Sequence, residues 1–297
     1  MSEAAITVGD VRYTYPDGSV ALDNVSLEVV KGGKVAILGP NGAGKSTLLM
    51  HMAGILTPQQ GEVTILGMPL NDKNIHHIRG NVGMTFQNPD DQLFCSTVYE
   101  DIAYGPLNLG LPRDEVVSRT KEALRQVGLQ GYDDRPPHRL SEGEKKKVAI
   151  ATVLSMQPKI MIIDEPSANL DPKSRQELID LIKDLQEKQS FTLVVATHDV
   201  DLVPQVADRT FILNQGRVIA EGPVREVLLN LEVLHKARLE PPSVTKLFYL
   251  LTERNAVTRE SMPLTIDEAL QEIQRLVHNQ GSPRRSSVSK KRSSRSK

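Results

Sequence analysis

The 297-residue sequence has one cysteine, Cys95, no tryptophan, and no apolar run close to the roughly 20 residues that a membrane-spanning helix needs. A single cysteine excludes a disulfide within the chain and favours a reducing compartment. The first residues, MSEAA, lack the basic and apolar regions of a signal peptide. We therefore expect a soluble protein, which is still able to dock on a membrane protein.

The net charge is small, but the charges are unevenly distributed. The chain has 36 basic and 37 acidic residues, and seven of the basic ones lie within residues 282–297, beside seven serines and no acid. The remaining 29 basic residues face 37 acidic ones, a net charge of about −8. We expect residues 281–297 to form a disordered tail, which either contacts anionic lipid or RNA or is a solvated end with no partner.

The length suits one large domain and a smaller one. Residues 1–230 alternate strand and helix patterns as an α/β sheet does, with antiparallel strands near the N-terminus and buried parallel strands at residues 160–163 and 193–196. A mostly helical insertion is predicted over residues 88–157. Two amphipathic stretches, near residues 233–251 and 265–277, predict a small C-terminal domain over residues 231–280, with a break at Pro241 and Pro242.

Residues 39–47 read GPNGAGKST and fit the pattern G-x-x-x-x-G-K-[ST] of a phosphate-binding loop. Glycines let backbone N–H groups converge on phosphate oxygens, Lys45 adds a full positive charge, and the Ser46 hydroxyl can bind Mg²⁺. The alternative is a chance match in a glycine-containing turn, but a strand pattern precedes the run and a helix pattern follows it. The predicted nucleotide-binding residues are Gly39, Pro40, Asn41, Gly42, Ala43, Gly44, Lys45, Ser46 and Thr47.

Two adjacent acids, Asp164 and Glu165, follow the apolar run at residues 160–163. A strand that ends in two acids often leads only into a solvated loop. After a phosphate-binding loop, however, such carboxylates lie beside the phosphates, where Asp164 can hold Mg²⁺ and Glu165 can polarise an attacking water. The pair therefore predicts hydrolysis of the bound nucleotide.

A third motif, LSEGE, lies at residues 140–144. By itself it is an ordinary helix start, in which Ser141 and Glu144 form a capping box. Together with the two other motifs, it resembles the signature LSGGQ of the ATP-binding cassette (ABC) family. The resemblance implies an α/β P-loop NTPase fold of the ABC type, with an N-terminal antiparallel part, a parallel core sheet, a helical insertion and a small C-terminal extension.

The remaining motifs of that family occur in the same order within residues 5–230. Tyr15 stands where the family has an aromatic residue that stacks on adenine; the alternative is that Tyr15 or Tyr13 simply packs within a strand. The run SANLD at residues 167–171 follows Glu165, and THD at residues 197–199 follows a strand pattern. The resemblance assigns catalysis to Glu165, His198 and Gln87, with His198 sensing the γ-phosphate, and metal binding to Ser46, Gln87 and Asp164.

A narrower resemblance follows Gln87. Residues 88–94, NPDDQLF, residues 105–111, GPLNLGL, and residues 263–269, PLTIDEA, are similar to the ATPases of energy-coupling-factor importers, which take up cobalt, nickel or vitamins. This implies a dimer, of identical or different chains, that closes head to tail around two ATP–Mg²⁺, with the partner's Ser141 and Gly143 completing each site. It also implies integral membrane subunits that dock near residues 87–94 at the cytoplasmic face of the membrane.

Two residues depart from the family's signature. Glu142 stands where the family usually has glycine, and Glu144 where it often has glutamine. A carboxylate at position 142 would repel the partner's γ-phosphate and weaken the composite site, unless the side chain turns to solvent. A weakened signature slightly favours a heterodimer with a second ATPase whose own signature is LSGGQ.

The sequence therefore predicts an ATP-hydrolysing subunit that powers a membrane importer, binds ATP and Mg²⁺, and has no nucleic-acid partner. One alternative is a soluble ABC ATPase that acts on ribosomes or nucleic acid, for which the basic tail is the only support. The other is an exporter ATPase, which only the narrower resemblance disfavours. The cargo is not encoded in this chain, because the ATPase does not touch it.

Overall fold

The computed structural model describes residues 3–253 and 262–280. Contacts divide the chain after Pro242 into two units, each of which is described by itself. The predicted tail at residues 281–297 lies outside the described residues. Among the described residues, no helix has both the length and the apolarity needed to cross a membrane.

Within the described residues, strands and helices alternate along most of the chain. The strands are β1 (Ala4–Thr14), β2 (Val20–Val30), β3 (Lys34–Leu38), β4 (Gln60–Ile65), β5 (Met68–Pro69), β6 (Val82–Thr85), β7 (Ile160–Asp164), β8 (Thr192–Thr197), β9 (Arg209–Asn214) and β10 (Arg217–Pro223). The helices are α1 (Lys45–Met52), α2 (Ile75–Asn81), α3 (Val98–Asn108), α4 (Arg113–Gln126), α5 (Glu142–Leu154), α6 (Pro172–Gln189), α7 (Val203–Val206), α8 (Val224–Leu228), α9 (Leu231–Lys236), α10 (Ser243–Glu253) and α11 (Ile266–Gln280).

The first sheet is antiparallel, with the strand order β2-β1-β4-β5. Apolar residues alternate with polar ones along β2, where Val25, Leu27 and Val29 are buried. This alternation is typical of a sheet that buries one face. β1 and β2 pair with Val11 opposite Val25, so the predicted N-terminal antiparallel part is confirmed.

The second sheet has the order β10-β9-β3-β8-β7-β6 and is parallel except for the edge strand β10. Every residue of β7 and β8 is buried, as the apolar runs at residues 160–163 and 193–196 predict. The carboxyl ends of β3, β6, β7 and β8 meet at one edge of the sheet. Ligands of such sheets bind at that edge, and the four predicted motifs follow these four strands.

A continuous apolar core joins the two sheets through α1. It includes Ile6 and Leu22 from the antiparallel sheet, Leu48 from α1, and Ile37 and Phe211 from the parallel sheet, all of them almost fully buried. The phosphate-binding loop between β3 and α1 therefore lies at the junction of the two sheets.

The predicted helical insertion is present as α3, α4 and α5, which pack against one another. Both α3 and α5 begin with a capping box, formed by Thr97 with Glu100 and by Ser141 with Glu144. Gln92 fastens the segment after β6 to α5, because its Nε2 donates to Ala149 O at 3.0 Å.

The larger unit extends beyond the boundary that we predicted near residue 230. Helix α9 packs on α8, and its Leu234 and the following Ala237 are completely buried. The Asn214 side chain at the end of β9 also donates to Lys236 O at 3.0 Å. These contacts keep α9 in the larger unit, so the compact unit ends at Pro242.

The described part of the second unit contains α10 and α11, and the break at Pro241 and Pro242 separates α9 from α10 as expected. Phe248 of α10 is fully buried, and the Thr245 hydroxyl donates to Pro263 O. Four apolar side chains of α11 at helical spacing are exposed: Ile266, Leu270, Ile273 and Val277.

Candidate functional site

The phosphate-binding loop has a backbone that only glycine accommodates at two points. Gly44, the residue before α1, has φ 101°, and a Cβ there would lie 2.3 Å from Ala21 O of β2. A Cβ on Gly39 would lie 2.2 Å from Leu213 O of β9. The loop is thus held against one strand of each sheet, and its N–H groups and the N-terminus of α1 form an anion-binding concavity.

Lys45 is the first residue of α1, and its side chain is buried. The ammonium donates to Gly39 O at 2.9 Å and to Pro40 O at 3.2 Å. It also forms an ion pair with Glu165 Oε1, at 3.2 Å, in which both side chains are almost completely buried. The lysine that was predicted to bind the phosphates and the glutamate that was predicted to activate water are therefore in direct contact.

Glu165 follows β7, and its carboxylate is held from two sides. Oε2 accepts hydrogen bonds from the Thr197 hydroxyl at 3.1 Å and from the His198 main-chain N–H at 3.4 Å. His198 Nδ1 lies 3.0 Å from the same oxygen. The ends of β7 and β8 thus bring together Glu165 and His198, which are 33 residues apart in the sequence.

Asp164 is the last residue of β7 and is buried. Desolvation raises the pKa of its carboxyl group, and a hydrogen bond with the Ser46 side chain opposes this change. Its Oδ1 is buried without a hydrogen-bond partner among the described residues. A buried carboxylate oxygen without a partner, next to a hydroxyl, fits a hard cation such as Mg²⁺, which prefers oxygen ligands.

No group of three His, Cys, Asp or Glu side chains that could hold a metal ion was found within the described ranges. A Mg²⁺ at this edge would therefore need ligands of other types. The hydroxyl of Ser46 and the amide of Gln87 are such ligands, and the phosphates of a nucleotide supply the rest.

An open cleft of about 420 Å³ contains the loop and most of the predicted nucleotide-binding residues. Tyr15 and Gln87 line it together with residues 41–47 and Glu165. The Tyr15 hydroxyl lies 3.0 Å from Thr47 Oγ1, and its ring meets the Tyr13 ring edge to face at 5.2 Å between centroids. Tyr15 thus lies one residue beyond β1, at the cleft and in contact with Tyr13 and Thr47, and stacking of its ring on adenine stays a prediction.

Ser141 and Gly143 are not among the residues that line this cleft. The Ser141 hydroxyl caps α5 by accepting from Glu144 N at 3.3 Å, and Ser141 N donates to Glu144 Oε2 at 2.8 Å. Glu144 Oε1 also accepts from the Tyr132 hydroxyl at 2.7 Å, and these hydrogen bonds, chiefly the one from the Ser141 backbone, lower the pKa of Glu144.

The carboxylate of Glu142 is half exposed and pairs with its own helix. Lys145 Nζ lies 3.4 Å from Glu142 Oε1 and 2.8 Å from Asp90 Oδ1. Lys145 thus offsets part of the charge that the departure at position 142 introduces, and it joins the start of α5 to the segment that follows Gln87.

Three contacts of the site were not predicted. They are the ion pair of Lys45 with Glu165, the hydrogen bond from the Thr197 hydroxyl to Glu165, and the hydrogen bond from Lys146 to Glu165. Lys146 is buried, desolvation lowers its pKa, and its Nζ donates to Glu165 O at 2.9 Å. The sequence signals for them are weak. Thr197 immediately precedes His198, and Lys146 is the middle one of three consecutive lysines.

Comparison with known proteins agrees with this geometry. Residues 22–168 match the family model described as ABC transporter. An energy-coupling factor transporter ATP-binding protein from Methanocaldococcus jannaschii is 47% identical over 84% of this chain and 90% of its own length. A protein of the same description from Methanothermobacter thermautotrophicus is 45% identical over 92% of this chain and 87% of its own length.

Solved structures give the same result. CbiO1 from Clostridium perfringens, part of an ABC transporter complex, is 39% identical and matches with a TM-score of 0.71 over 84% of this chain and all of its own. A dimeric ATP-binding cassette in a post-hydrolysis state with ADP and Pi is 31% identical, with a TM-score of 0.67 over 74% of this chain and 99% of its own. The ABC ATPase fold that the motifs predicted is therefore confirmed, and this chain belongs to the ABC transporter family of ATP-hydrolysing proteins.

Proposed function

We propose that this chain is the ATP-hydrolysing subunit of an energy-coupling-factor importer. Relatives described as energy-coupling factor transporter ATP-binding proteins support this, since one of them matches 274 residues, a span that includes most of the second unit. The cargo that we propose is cobalt, nickel or a vitamin, by resemblance to that group of importers.

The observation that carries the chemical proposal is the cluster of Lys45, Glu165 and His198 at the edge of the parallel sheet. The loop N–H groups and the Lys45 ammonium bind the β- and γ-phosphates, and Tyr15 stacks on the adenine ring. Glu165 accepts a proton from the attacking water, while His198 orients its carboxylate and contacts the γ-phosphate.

The Ser46 hydroxyl, Asp164 and Gln87 would hold Mg²⁺, which would supply positive charge next to the phosphates. The unpartnered Oδ1 of Asp164 supports this assignment. The same ion would offset the cost of burying that carboxylate, since a nearby positive charge favours its ionised form.

We also propose that two such cassettes act together. Ser141 and Gly143 lie outside the cleft of their own chain, so they serve a nucleotide only when a second cassette presents them. Lys145, 3.4 Å from Glu142, offsets part of the negative charge that Glu142 would bring to the partner's nucleotide. This reduces the electrostatic objection to a homodimer, although the heterodimer that the sequence slightly favoured stays compatible with the site.

Membrane subunits dock, in this proposal, on an apolar patch beside the segment after Gln87, which places the ATPase peripherally at the cytoplasmic face. Phe94 and Tyr104 are 66% and 50% exposed and meet edge to face at 5.0 Å, and Leu107 is 57% exposed. Aromatic residues of this kind are enriched in protein interfaces. The patch belongs to the helical insertion, with Tyr104 and Leu107 on α3, and Gln92 fastens the segment before Phe94 to α5, so the patch moves with the insertion.

The test is co-purification of the tagged full-length chain from solubilised membranes. Integral membrane proteins are the expected partners, and Phe94→Ser combined with Tyr104→Ser should reduce their recovery. Ile219→Ser, which alters an exposed apolar residue on β10, is the matched control and should not. Recovery of ribosomes or nucleic acid instead of membrane proteins would refute the importer proposal.

A further inference from the structure

Three consecutive lysines of α5 occupy three different environments. Lys145 pairs with Asp90 and Glu142, and Lys147 pairs with Glu177 of α6 at 2.9 Å. Both of these lysines interact with acidic side chains. Lys146 points to the interior, is 6% exposed, and donates to the main-chain carbonyl of Glu165 at 2.9 Å.

The surroundings of Lys146 are mostly apolar. It borders a void of about 10 Å³ whose other walls include the apolar side chains of Phe86, Ile150 and Leu178, and also Asp164. A void of this size holds about one water at most, so the ammonium depends on protein groups for its hydrogen bonds. Burial of an ammonium in such a place is unfavourable, and a well-packed apolar side chain of similar volume is often neutral or stabilising instead.

The backbone of Glu165 has an uncommon conformation at this contact. Its φ is 47°, in the left-handed region that non-glycine residues rarely adopt. Glu165 N donates to Ala196 O at 2.9 Å, and Glu165 O accepts from Ala168 N at 3.2 Å as well as from Lys146. The left-handed turn takes the chain out of β7 at the residue whose carboxylate meets Lys45 and His198.

We propose that Lys146 is a positioning residue for ATP hydrolysis. Its ammonium holds the carbonyl of Glu165, stabilises the left-handed backbone, and thereby aims the carboxylate at the reaction centre. The proposal rests on the assignment of Glu165 as the base. This role explains why position 146 carries an ammonium group, although packing alone favours an apolar side chain there.

The test compares Lys146→Met with wild type in the purified full-length chain. Methionine is unbranched and only one atom shorter, so it keeps most of the packing of the side chain while removing the charge and the donor. We expect kcat to fall roughly tenfold to a hundredfold, because a small misplacement of a catalytic group has effects of this size. The KM for ATP should stay within about threefold, since the contacts of the phosphate loop are untouched. The melting temperature should be unchanged or higher.

Two further variants complete the design. Lys147→Met removes a lysine from the next position of the same helix and should leave kcat unchanged. Lys146→Arg retains a cationic donor, and a hydrogen bond from a charged donor is stronger than one between neutral groups. We therefore expect it to recover much of the lost kcat, so that a loss of about a hundredfold in Lys146→Met becomes about tenfold or less in Lys146→Arg.

Lys146→Met activity within twofold of wild type would overturn the proposal. So would a loss of kcat that is accompanied by a lower melting temperature and weaker ATP binding, which is the result a merely structural role predicts. Failure of the underlying assignment is recognised separately. If Glu165→Gln retains activity, the base has been misassigned whatever Lys146→Met does.

Discussion

Replacement of Glu165 by glutamine should separate ATP hydrolysis from ATP binding. The amide retains the shape of the carboxylate and an oxygen that accepts from the Thr197 hydroxyl, which lies 3.1 Å from Oε2. It cannot take a proton from water. Loss of a general base typically reduces the rate by about 10²- to 10⁴-fold, so we expect kcat to fall within that range.

The same substitution should strengthen ATP binding. Lys45 and Glu165 are 3.2 Å apart and buried, and with an effective dielectric constant of about 20 their attraction is about 5 kcal/mol. The phosphates of ATP compete with this carboxylate for the same ammonium and are also repelled by it. If about a quarter of that energy is recovered on neutralisation, the Kd for ATP falls about tenfold.

Phosphate release measures the first effect, and equilibrium binding of labelled ATP to the full-length chain measures the second. Glu177→Gln is the matched control, because it neutralises a carboxylate that pairs with Lys147 on the surface and should change neither quantity. Activity above about a tenth of wild type would refute the role of Glu165 as base. Unchanged or weaker ATP binding would refute the argument from the ion pair.

Three other perturbations test separate parts of the site, and a fourth tests the stability of the fold. Lys45→Ala should weaken ATP binding by at least about tenfold in the same equilibrium assay, since a hydrogen bond to a charged group contributes about 1.5–3 kcal/mol. Glu142→Gly should change the ATPase rate less than about threefold, because an exposed ion pair contributes little; Lys145→Met should lower the rate more, and the double variant should recover it. Tyr15→Ala should raise the KM for ATP and Tyr15→Phe should do so far less, because only the first removes the stacking ring. His51 of α1 is fully buried, with Nδ1 2.7 Å from Thr47 O, and desolvation lowers its pKa. As the pH falls, the unfolded chain therefore takes up this proton before the folded chain does, and stability is lost; thermal melting between about pH 5 and 8 should show a smaller acid loss in His51→Gln.

The sequence was sufficient for the features that depend on local order along the chain. Asp164 and Glu165 follow an apolar run, and the carboxyl end of a buried parallel strand lies at the ligand-binding edge. The same rule predicted the positions of the phosphate loop and His198. Strand order was not needed, because all of these motifs follow strands of a single sheet.

The features that we did not predict depend on which side of a helix a side chain points to, or on contacts between elements that are distant in the sequence. Three lysines in a row normally suggest an exposed face, yet successive helical residues point about 100° apart, and the middle one turns inward here. The contact of Lys45 with Glu165 joins the first residue of α1, which follows β3, to the residue that follows β7, and β8 lies between these two strands in the sheet. The end of the larger unit was also misjudged, because α9 is bound through its packing on α8 rather than through any motif.

The close approach of the two loop glycines to opposite sheets has a thermodynamic consequence. Gly39 lies against β9 and Gly44 against β2, while Gly216 N donates to Ala43 O at 3.0 Å and Gly216 O accepts from Asp23 N at 2.8 Å. A ligand that requires this shape of the loop also opposes separation of the two sheets. Since such linkage is reciprocal, bound ATP favours the closed junction by the same factor by which the closed junction binds ATP more tightly than an open one. A change that loosens the β9–β10 turn enough to populate the open junction therefore weakens ATP binding. Sequence drift in a turn that never touches the nucleotide is thereby subject to selection for nucleotide affinity.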